Sequence, residues 1–514
     1  MRPNKLLLIL LSFCCVLPLT AQTKIFIETG KGTQTISRHL YGHFSEHLGR
    51  CIYDGIWVGK SSKIPNINGY RADVVAALKE IGIPNLRWPG GCFADIYHWQ
   101  DGIGPQTRRL PILNYHWGNV TEDNSFGTHE FLDLCELLEC EPYLAANMGT
   151  GTPRELKDWV QYVNAGGTSP MTTLRAANGR AKPWAVHYWG IGNEVWGCGG
   201  NMNAEYYANI YNHFATFCRD YDDTRCQRIA CGPYGGDTTW TATLLKNVNR
   251  GLLQGISMHY YTVARGDWNK KGSATQFTEA EWFEQIKATL QMEEAINLNA
   301  RVMDRFDPKK EIGLVVDEWG DWYDVEPGTN GGFLYQQNSL RDALVAAINL
   351  NIFNNHCDRV KMANIAQTVN VLQSIVLTRG TETVRTPTYY AFRLFRPHHD
   401  ATLLPSRVES ALYSFGGQSI PAVTVSASKD RAGVIHITLT NADPNKSQEI
   451  ACNLSGLSPE QVDGRIITAD SMTAFNDFGK PEAVRIQPFE GERIFGDKLL
   501  LTLPAKSVLM LEVR

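Results

Sequence analysis

Between about residues 39 and 366, short apolar runs alternate with longer amphipathic ones, and this rhythm restricts the fold more than any other feature of the chain. The short runs are Leu40–Phe44, Pro84–Trp88, Pro142–Ala146, Val186–Ile191, Arg228–Gly232, Ile256–Tyr260, Ile312–Val316 and Val360–Ile365. Each has the length of a strand and is mostly apolar on both faces, as expected of a parallel sheet covered on both sides. The stretches between them are Ala72–Ile81, Thr128–Leu138, Arg154–Ala165, Ala204–Arg219, Thr239–Val248, Glu279–Met303 and Tyr335–Phe353. They repeat apolar residues near i, i+3 and i+4, which is one helix face. The repeated strand–helix alternation predicts an α/β fold, a parallel sheet closed as a (β/α)8 TIM barrel. A doubly wound open sheet is the alternative, disfavoured because no Gly-rich phosphate loop follows the first strand.

The 514 residues are too many for one core. The texture changes at Pro397-His398-His399-Asp400. Beyond it lie Ala422–Ser426, Gly433–Thr440, Ser447–Cys452, Gly464–Ile467, Lys498–Leu503 and Ser507–Val513, short strands separated by turn residues. This pattern predicts a C-terminal antiparallel β-sandwich, jelly-roll-like. Lys24–Ile27 stands outside the barrel rhythm and could complete that sandwich. The expected division is a signal peptide over 1–22, an N-terminal strand over 23–38 joining the sandwich, the catalytic barrel over 39–396 and the sandwich over 397–514.

The signal-peptide reading rests on basic Arg2 and Lys5, the apolar run Leu6 to Leu19, and the small and polar Thr20-Ala21-Gln22. The run is too short to span a bilayer, so export to the periplasm, cell surface or medium is expected. A formal net charge of −4 argues against a nucleic-acid partner. Twelve cysteines less Cys14 and Cys15 leave ten, none in a CxxC pair. Cys218, Cys226 and Cys231 are close enough in sequence to pair if oxidised; buried free thiols are the equal alternative. His47, His116, His398 and His399 show no HExxH or carboxylate spacing, so no metal and no cofactor is expected. No G-x-S-x-G elbow appears.

In a TIM barrel the chemistry sits where strands end at their C-terminal face. Glu46 follows the first strand, Arg87 ends the second, and Asn147 follows the third. Asn193 and Glu194 end the fourth, His259, Tyr260 and Tyr261 the sixth, and Asp317-Glu318 the seventh. Two glutamates across one mouth suit glycosidic cleavage, in which one carboxyl protonates the leaving oxygen and the other attacks the anomeric carbon or activates water. Each glutamate alone could equally be a helix N-terminal carboxylate facing the dipole. Arg87 would keep a neighbouring carboxylate charged. The Asn193 amide could bond a sugar 2-hydroxyl, His259 could orient the nucleophile, and Tyr261 could donate to it. Alternation along the strand turns only one of Asp317 and Glu318 inward, and periodicity does not choose between them.

Several segments resemble glycoside hydrolase family 51, the retaining α-L-arabinofuranosidases. They are Tyr41-Gly42-His43-Phe44-Ser45-Glu46-His47-Leu48-Gly49-Arg50, Arg87-Trp88-Pro89-Gly90-Gly91-Cys92-Phe93, Asp101-Gly102-Ile103-Gly104-Pro105 and Gly190-Ile191-Gly192-Asn193-Glu194. His259-Tyr260-Tyr261, Asp317-Glu318-Trp319, the run from Ala366 to Gln373, and Thr386-Pro387-Thr388-Tyr389-Tyr390 continue the likeness over essentially the whole mature chain. The resemblance implies that Glu194 is the acid/base and Glu318 the nucleophile. It also implies that Glu46, Cys92, Asn193, Tyr261 and Gln373 line the arabinose subsite, with Cys92 at a position where the family carries Asn or Cys. Trp322 would form a wall of the sugar pocket, and Trp99 would border the rest of the substrate.

The expected activity is exo-acting release of terminal α-L-arabinofuranose from arabinan, arabinoxylan or derived oligosaccharides. Endo-glucanase or β-xylosidase activity within the family is the alternative, and a non-catalytic carbohydrate-binding barrel is the alternative from another class. Homo-oligomers are common in the family, so self-association is a further expectation.

Overall fold

The computed structural model describes residues 23–514 apart from residue 33. The signal-peptide reading of 1–22 therefore lies outside the described residues. Strand β1 (Thr23–Glu28) comes first, followed by the eight barrel strands. These are β2 (Gly42–Phe44), β3 (Asn85–Trp88), β4 (Glu141–Ala146), β5 (Tyr188–Ile191), β6 (Gln227–Ala230), β7 (Gly255–Thr262), β8 (Gly313–Asp321) and β9 (Val360–Ala366). All pair in parallel, and the sheet closes through β9–β2 and β5–β6. The strand–helix alternation thus makes the barrel it predicts.

The helices start and stop where local chemistry dictates. Ala72–Ile81 ends at Gly82, whose φ of 65° lets its N–H return to the carbonyls of Leu78 and Lys79. Pro153–Asn164 begins after Thr152, whose hydroxyl accepts from the Glu155 N–H, with Pro153 in the first turn. Glu279–Phe306 opens on a capping box between Thr278 and Glu281. Pro170–Ala177 and Pro387–Phe395 are helices that the apolar spacing did not predict. Both open with Ser or Thr followed by Pro, a start signal present in the sequence.

β8 runs three residues past Asp317-Glu318, to Asp321. Its pairing shifts register between Val316 and Trp319 on the β9 side, and between Ser257 and His259 on the β7 side. Such an irregularity re-aims side chains. As a result both Asp317 and Glu318 meet Arg87 and His259 inside the barrel, where strict alternation would put them on opposite sides, yet only Glu318 reaches the cavity at the barrel mouth. Beside these polar groups, Tyr143, Ile229, Val315 and Met362 from four barrel strands pack as a small apolar cluster, and the Tyr143 hydroxyl donates to Asp317 at 2.8 Å.

Apart from four two-stranded sheets, the remaining described strands form two facing sheets. They are β10 (Thr402–Leu403), β11 (Ser406–Glu409), β12 (Val423–Lys429), β13 (Ile435–Asn441), β14 (Gln448–Ser455), β15 (Val462–Ile467), β16 (Ile486–Phe489), β17 (Glu492–Phe495), β18 (Lys498–Leu503) and β19 (Ser507–Val513). One sheet has the order β11-β1-β14-β18-β17 and the other β10-β12-β13-β19-β15-β16. Every pair is antiparallel except β1–β14, because β1 arrives from the chain start. Helix Leu340–Asn355 is buried almost all round, as expected of a helix enclosed by two layers. Its Asn351 and Asn354 amides bond Thr424 and Ser426 of the sandwich at 3.0 Å each. The same packing fixes the helix that follows β8.

Candidate active site

The chain leaves β5 through a tight turn. Gly192 has φ 91° and Glu194 φ 40°. A left-handed glutamate costs on the order of 1–3 kcal/mol and persists only where surrounding bonds impose it. Here the N–H groups of Gly197 and Gly199 both donate to the Glu194 carbonyl, at 2.7 and 3.1 Å. Asp95 supports the turn from the β3 side. Its carboxylate accepts from the N–H groups of Met148, Gly149 and Asn193 at 2.7, 2.9 and 3.2 Å. Burial nevertheless raises its pKa to about 7 against those bonds. Sequence reading missed Asp95, which lies three residues past Cys92 and carries no signal of its own.

Opposite the turn stands Glu318. Arg87 Nη1 donates to its Oε1 at 2.7 Å, and the Tyr261 hydroxyl donates to its Oε2 at 2.8 Å. Arg87 Nη2 also donates to Asn193 Oδ1 at 2.6 Å, tying the two strand ends together. Burial alone would lower the Arg87 pKa, but Asp317 and Glu318 raise it above its ordinary value, so the guanidinium stays charged. His259 sits between the acids: its Nδ1 lies 2.9 Å from Glu194 Oε1, and its Nε2 3.0 Å from Asp317 Oδ1. Burial opposes its charge, yet Glu318 and Asp317 raise its pKa to about 10. It is therefore an imidazolium at neutral pH.

Asn193, Glu194, Tyr261 and Glu318 line a cavity with Glu46, Leu48, Gly91, Cys92, Trp117, Trp322, Leu334, Gln367 and Leu372, while Arg87 and His259 stand behind this lining and hold its carboxylates. Glu46 accepts from the Phe93 N–H at 3.1 Å, Trp117 Nε1 at 2.8 Å and Gln367 Nε2 at 3.0 Å. Burial first, and then Glu318, raise its pKa to about 7. Trp117 and Gln367 were not predicted; they come from a loop and from the turn after β9, which only the fold brings to the barrel mouth.

Two more expected residues lie farther from the cavity. Gln373 is fully buried behind β8, with Oε1 accepting from the Asp321 N–H and Nε2 donating to the Asp342 carbonyl. Its amide is already committed and does not line the cavity. Trp99 is 1% exposed, stacks on Trp159 with ring centres 6.0 Å apart, and donates to the Glu155 carbonyl. It belongs to the core beside helix Pro153–Asn164. The Gly-rich segment after β3 folds back into short 3-10 turns, and these carry the indole inward.

Cys92 is not a thiol here. It is bonded to Cys198, and each of the two is partly exposed. Cys218, Cys226 and Cys231 are free and buried. The bond joins the segment after β3 to the Glu194 turn, across 106 residues of sequence, so proximity along the chain could not reveal it. Metal spacing motifs are local too. Folding gathers Cys92, Glu194 and Cys198, and separately Glu194, His259 and Glu318, each with ligand atoms within 4.8 Å of one another. In the second set His259 Nδ1 stands between the two glutamates, 2.9 Å from Glu194 Oε1 and 3.5 Å from Glu318 Oε2.

Family models match in two blocks: the α-L-arabinofuranosidase 1 domain over residues 77–281 and the α-L-arabinofuranosidase C-terminal domain over 317–507. An intracellular exo-α-L-arabinofuranosidase of Bacteroides ovatus is 49% identical over 95% of each chain. The chain belongs to the family 51 α-L-arabinofuranosidases. The family 51 arabinofuranosidase of Xanthomonas axonopodis pv. citri superposes with a TM-score of 0.95 at 46% identity, covering 96% of this chain and all of that one. The arabinose complex of the Thermotoga maritima α-L-arabinofuranosidase gives 0.81 at 30% identity, covering 96% and 99%. The Bacteroides relative is named intracellular, which contradicts the expected export. A short apolar run after two basic residues is a compositional signal, and it is weaker than a likeness over 95% of each chain. No described helix is long and apolar enough to cross a membrane.

Proposed function

We propose that this family 51 enzyme releases terminal α-L-arabinofuranosyl residues by double displacement, with Glu318 as nucleophile and Glu194 as acid/base. One observation carries the reading: carboxylate oxygens of Glu194 and Glu318 lie within 4.8 Å of each other across the cavity. Retaining enzymes need about 5–5.5 Å between the carboxyl groups, and inverting ones about 6.5–9.5 Å to admit a water. Glu318 accepts from Arg87 and Tyr261, which hold its carboxylate in place at the cavity wall. Glu194 is the more open of the two, at 20% side-chain exposure against 6%, as suits a group that meets the leaving oxygen and then water. In the first step Glu318 attacks the anomeric carbon while Glu194 gives its proton to the departing oxygen. In the second, Glu194 takes a proton from water, which displaces Glu318 from the sugar. Glu46, Asn193 and Gln367 supply polar atoms for the sugar hydroxyls, and Trp322 an apolar wall. A small pocket between Glu194, Glu318 and Trp322 suits one terminal sugar ring, hence exo action on arabinan, arabinoxylan or their oligosaccharides.

The test is turnover of 4-nitrophenyl α-L-arabinofuranoside with methanol as acceptor, followed by NMR. Methyl α-L-arabinofuranoside is the expected first product. A β-configured product, or faster cleavage of the xyloside or of a glucan, would overturn the reading.

A further inference from the structure

The Cys92–Cys198 pair holds no part in the chemistry above, yet it touches the group that performs it. Cys198 Sγ is 3.7 Å from Glu194 Oε2 and 4.0 Å from Asn193 Nδ2. The other Glu194 oxygen, Oε1, is held by His259, so Oε2 is the atom left to face the sulfurs. The eight other described cysteines are buried, which makes this pair the one that a dithiol reductant can reach. In a reducing compartment disulfides are transient.

We propose that the reduced pair and Glu194 form a binding site for a thiophilic divalent cation, Zn²⁺, and that the bound ion silences the enzyme. A dithiol reductant delivers two electrons and two protons by successive thiol–disulfide exchange. The S–S bond breaks, Cys92 and Cys198 become thiols, and the reductant leaves as its own disulfide. Zn²⁺ then displaces the two thiol protons to solvent and takes both sulfurs and Glu194 Oε2. The Cα atoms are 5.6 Å apart, so both sulfurs reach one ion at the usual Zn–S distance of about 2.3 Å. Thiolate ligands favour zinc over magnesium or calcium. Two sulfurs and one carboxylate oxygen leave a fourth position for water, and the ion occupies the carboxylate that would carry the proton. The oxidised pair has no lone thiolate to offer and is therefore the metal-insensitive form. The inhibitory half of this inference rests on Glu194 as acid/base; the binding half does not.

The experiment treats the full-length protein with dithiothreitol, removes the reductant without air, and titrates with Co²⁺ and then Zn²⁺. Expected is one Co²⁺ per chain with a near-ultraviolet sulfur-to-cobalt absorption, displaced by Zn²⁺ and absent from the oxidised protein and from Cys198→Ser. Activity of the reduced enzyme should fall with one equivalent of Zn²⁺ by roughly 10²-fold or more, the usual worth of a general acid, and return with chelator. Circular dichroism and the activity of the reduced, metal-free protein report that the chain stays folded. Absence of the cobalt band, its survival in Cys198→Ser, or binding without inhibition would overturn the proposal. So would a pair that resists the dithiol in the folded protein, or whose reduction unfolds it. A cobalt band in a protein that hydrolyses no arabinofuranoside would sink the function proposed above while leaving the metal site standing.

Discussion

Arg87 binds Glu318 through Nη1 and Oε1 at 2.7 Å, and their side chains are only 2% and 6% exposed. Breaking a buried pair from one side leaves an unpartnered charge, at about 3–5 kcal/mol. Arg87→Met should therefore lose about that much stability in urea unfolding as well as its turnover. A variant of wild-type stability would show that the pair is not the brace its burial implies.

Replacing each glutamate should give different signatures. Glu318→Gln removes the proposed nucleophilic carboxylate and should abolish hydrolysis of every substrate. Glu194→Gln removes the proposed general acid, and a loss of about 10²–10⁴-fold is expected on oligosaccharides. The loss should be smaller with a 4-nitrophenyl leaving group, which departs without protonation. Steady-state kinetics on both substrate types check this; equal losses on the two would reverse the assignment of Glu194.

His259 links stability to pH. Its folded-state pKa stands at about 10 against an ordinary 6.5. The charged ring thus adds stability fully below about pH 6.5, and that contribution fades as pH rises through about 10. Melting temperatures of wild type and His259→Gln should converge across that window. A gap that widens with pH would contradict the charge state.

Gly91 keeps the cavity open. A Cβ there would lie 3.0 Å from Glu46 Oε1 and 3.3 Å from Glu318 Oε1, both of which are pinned by hydrogen bonds. Gly91→Ala should overpack the cavity at about 1–3 kcal/mol and lower kcat/KM by roughly ten- to a hundredfold. Product inhibition by arabinose should weaken in parallel. Unchanged arabinose inhibition would mean that the sugar binds elsewhere.

The barrel was legible in the chain because buried strands and amphipathic helices have different periods, and eight repeats leave few ways to close. The strand-end residues Glu46, Arg87, Asn193, Glu194, His259, Tyr261 and Glu318 were legible because polar groups ending apolar strands are costly unless they meet partners. Trp99 and Gln373 were misplaced for one reason: motif likeness gives a position along the chain, and the direction of a side chain depends on the turn that carries it. Asp95, Trp117, Gln367 and Cys198 lie on loops with no periodic signal.

The sequence by itself determined the eight-stranded barrel, the sandwich and the residue types at the barrel mouth, since these follow from hydrophobic period and strand order. Only the tertiary structure decided that both Asp317 and Glu318 face inward, through the irregular register of β8. It alone joined Cys92 to Cys198 beside Glu194, and it alone made His259 a cation. Each of these depends on distances between groups far apart in the chain, and electrostatics and bonding act through space.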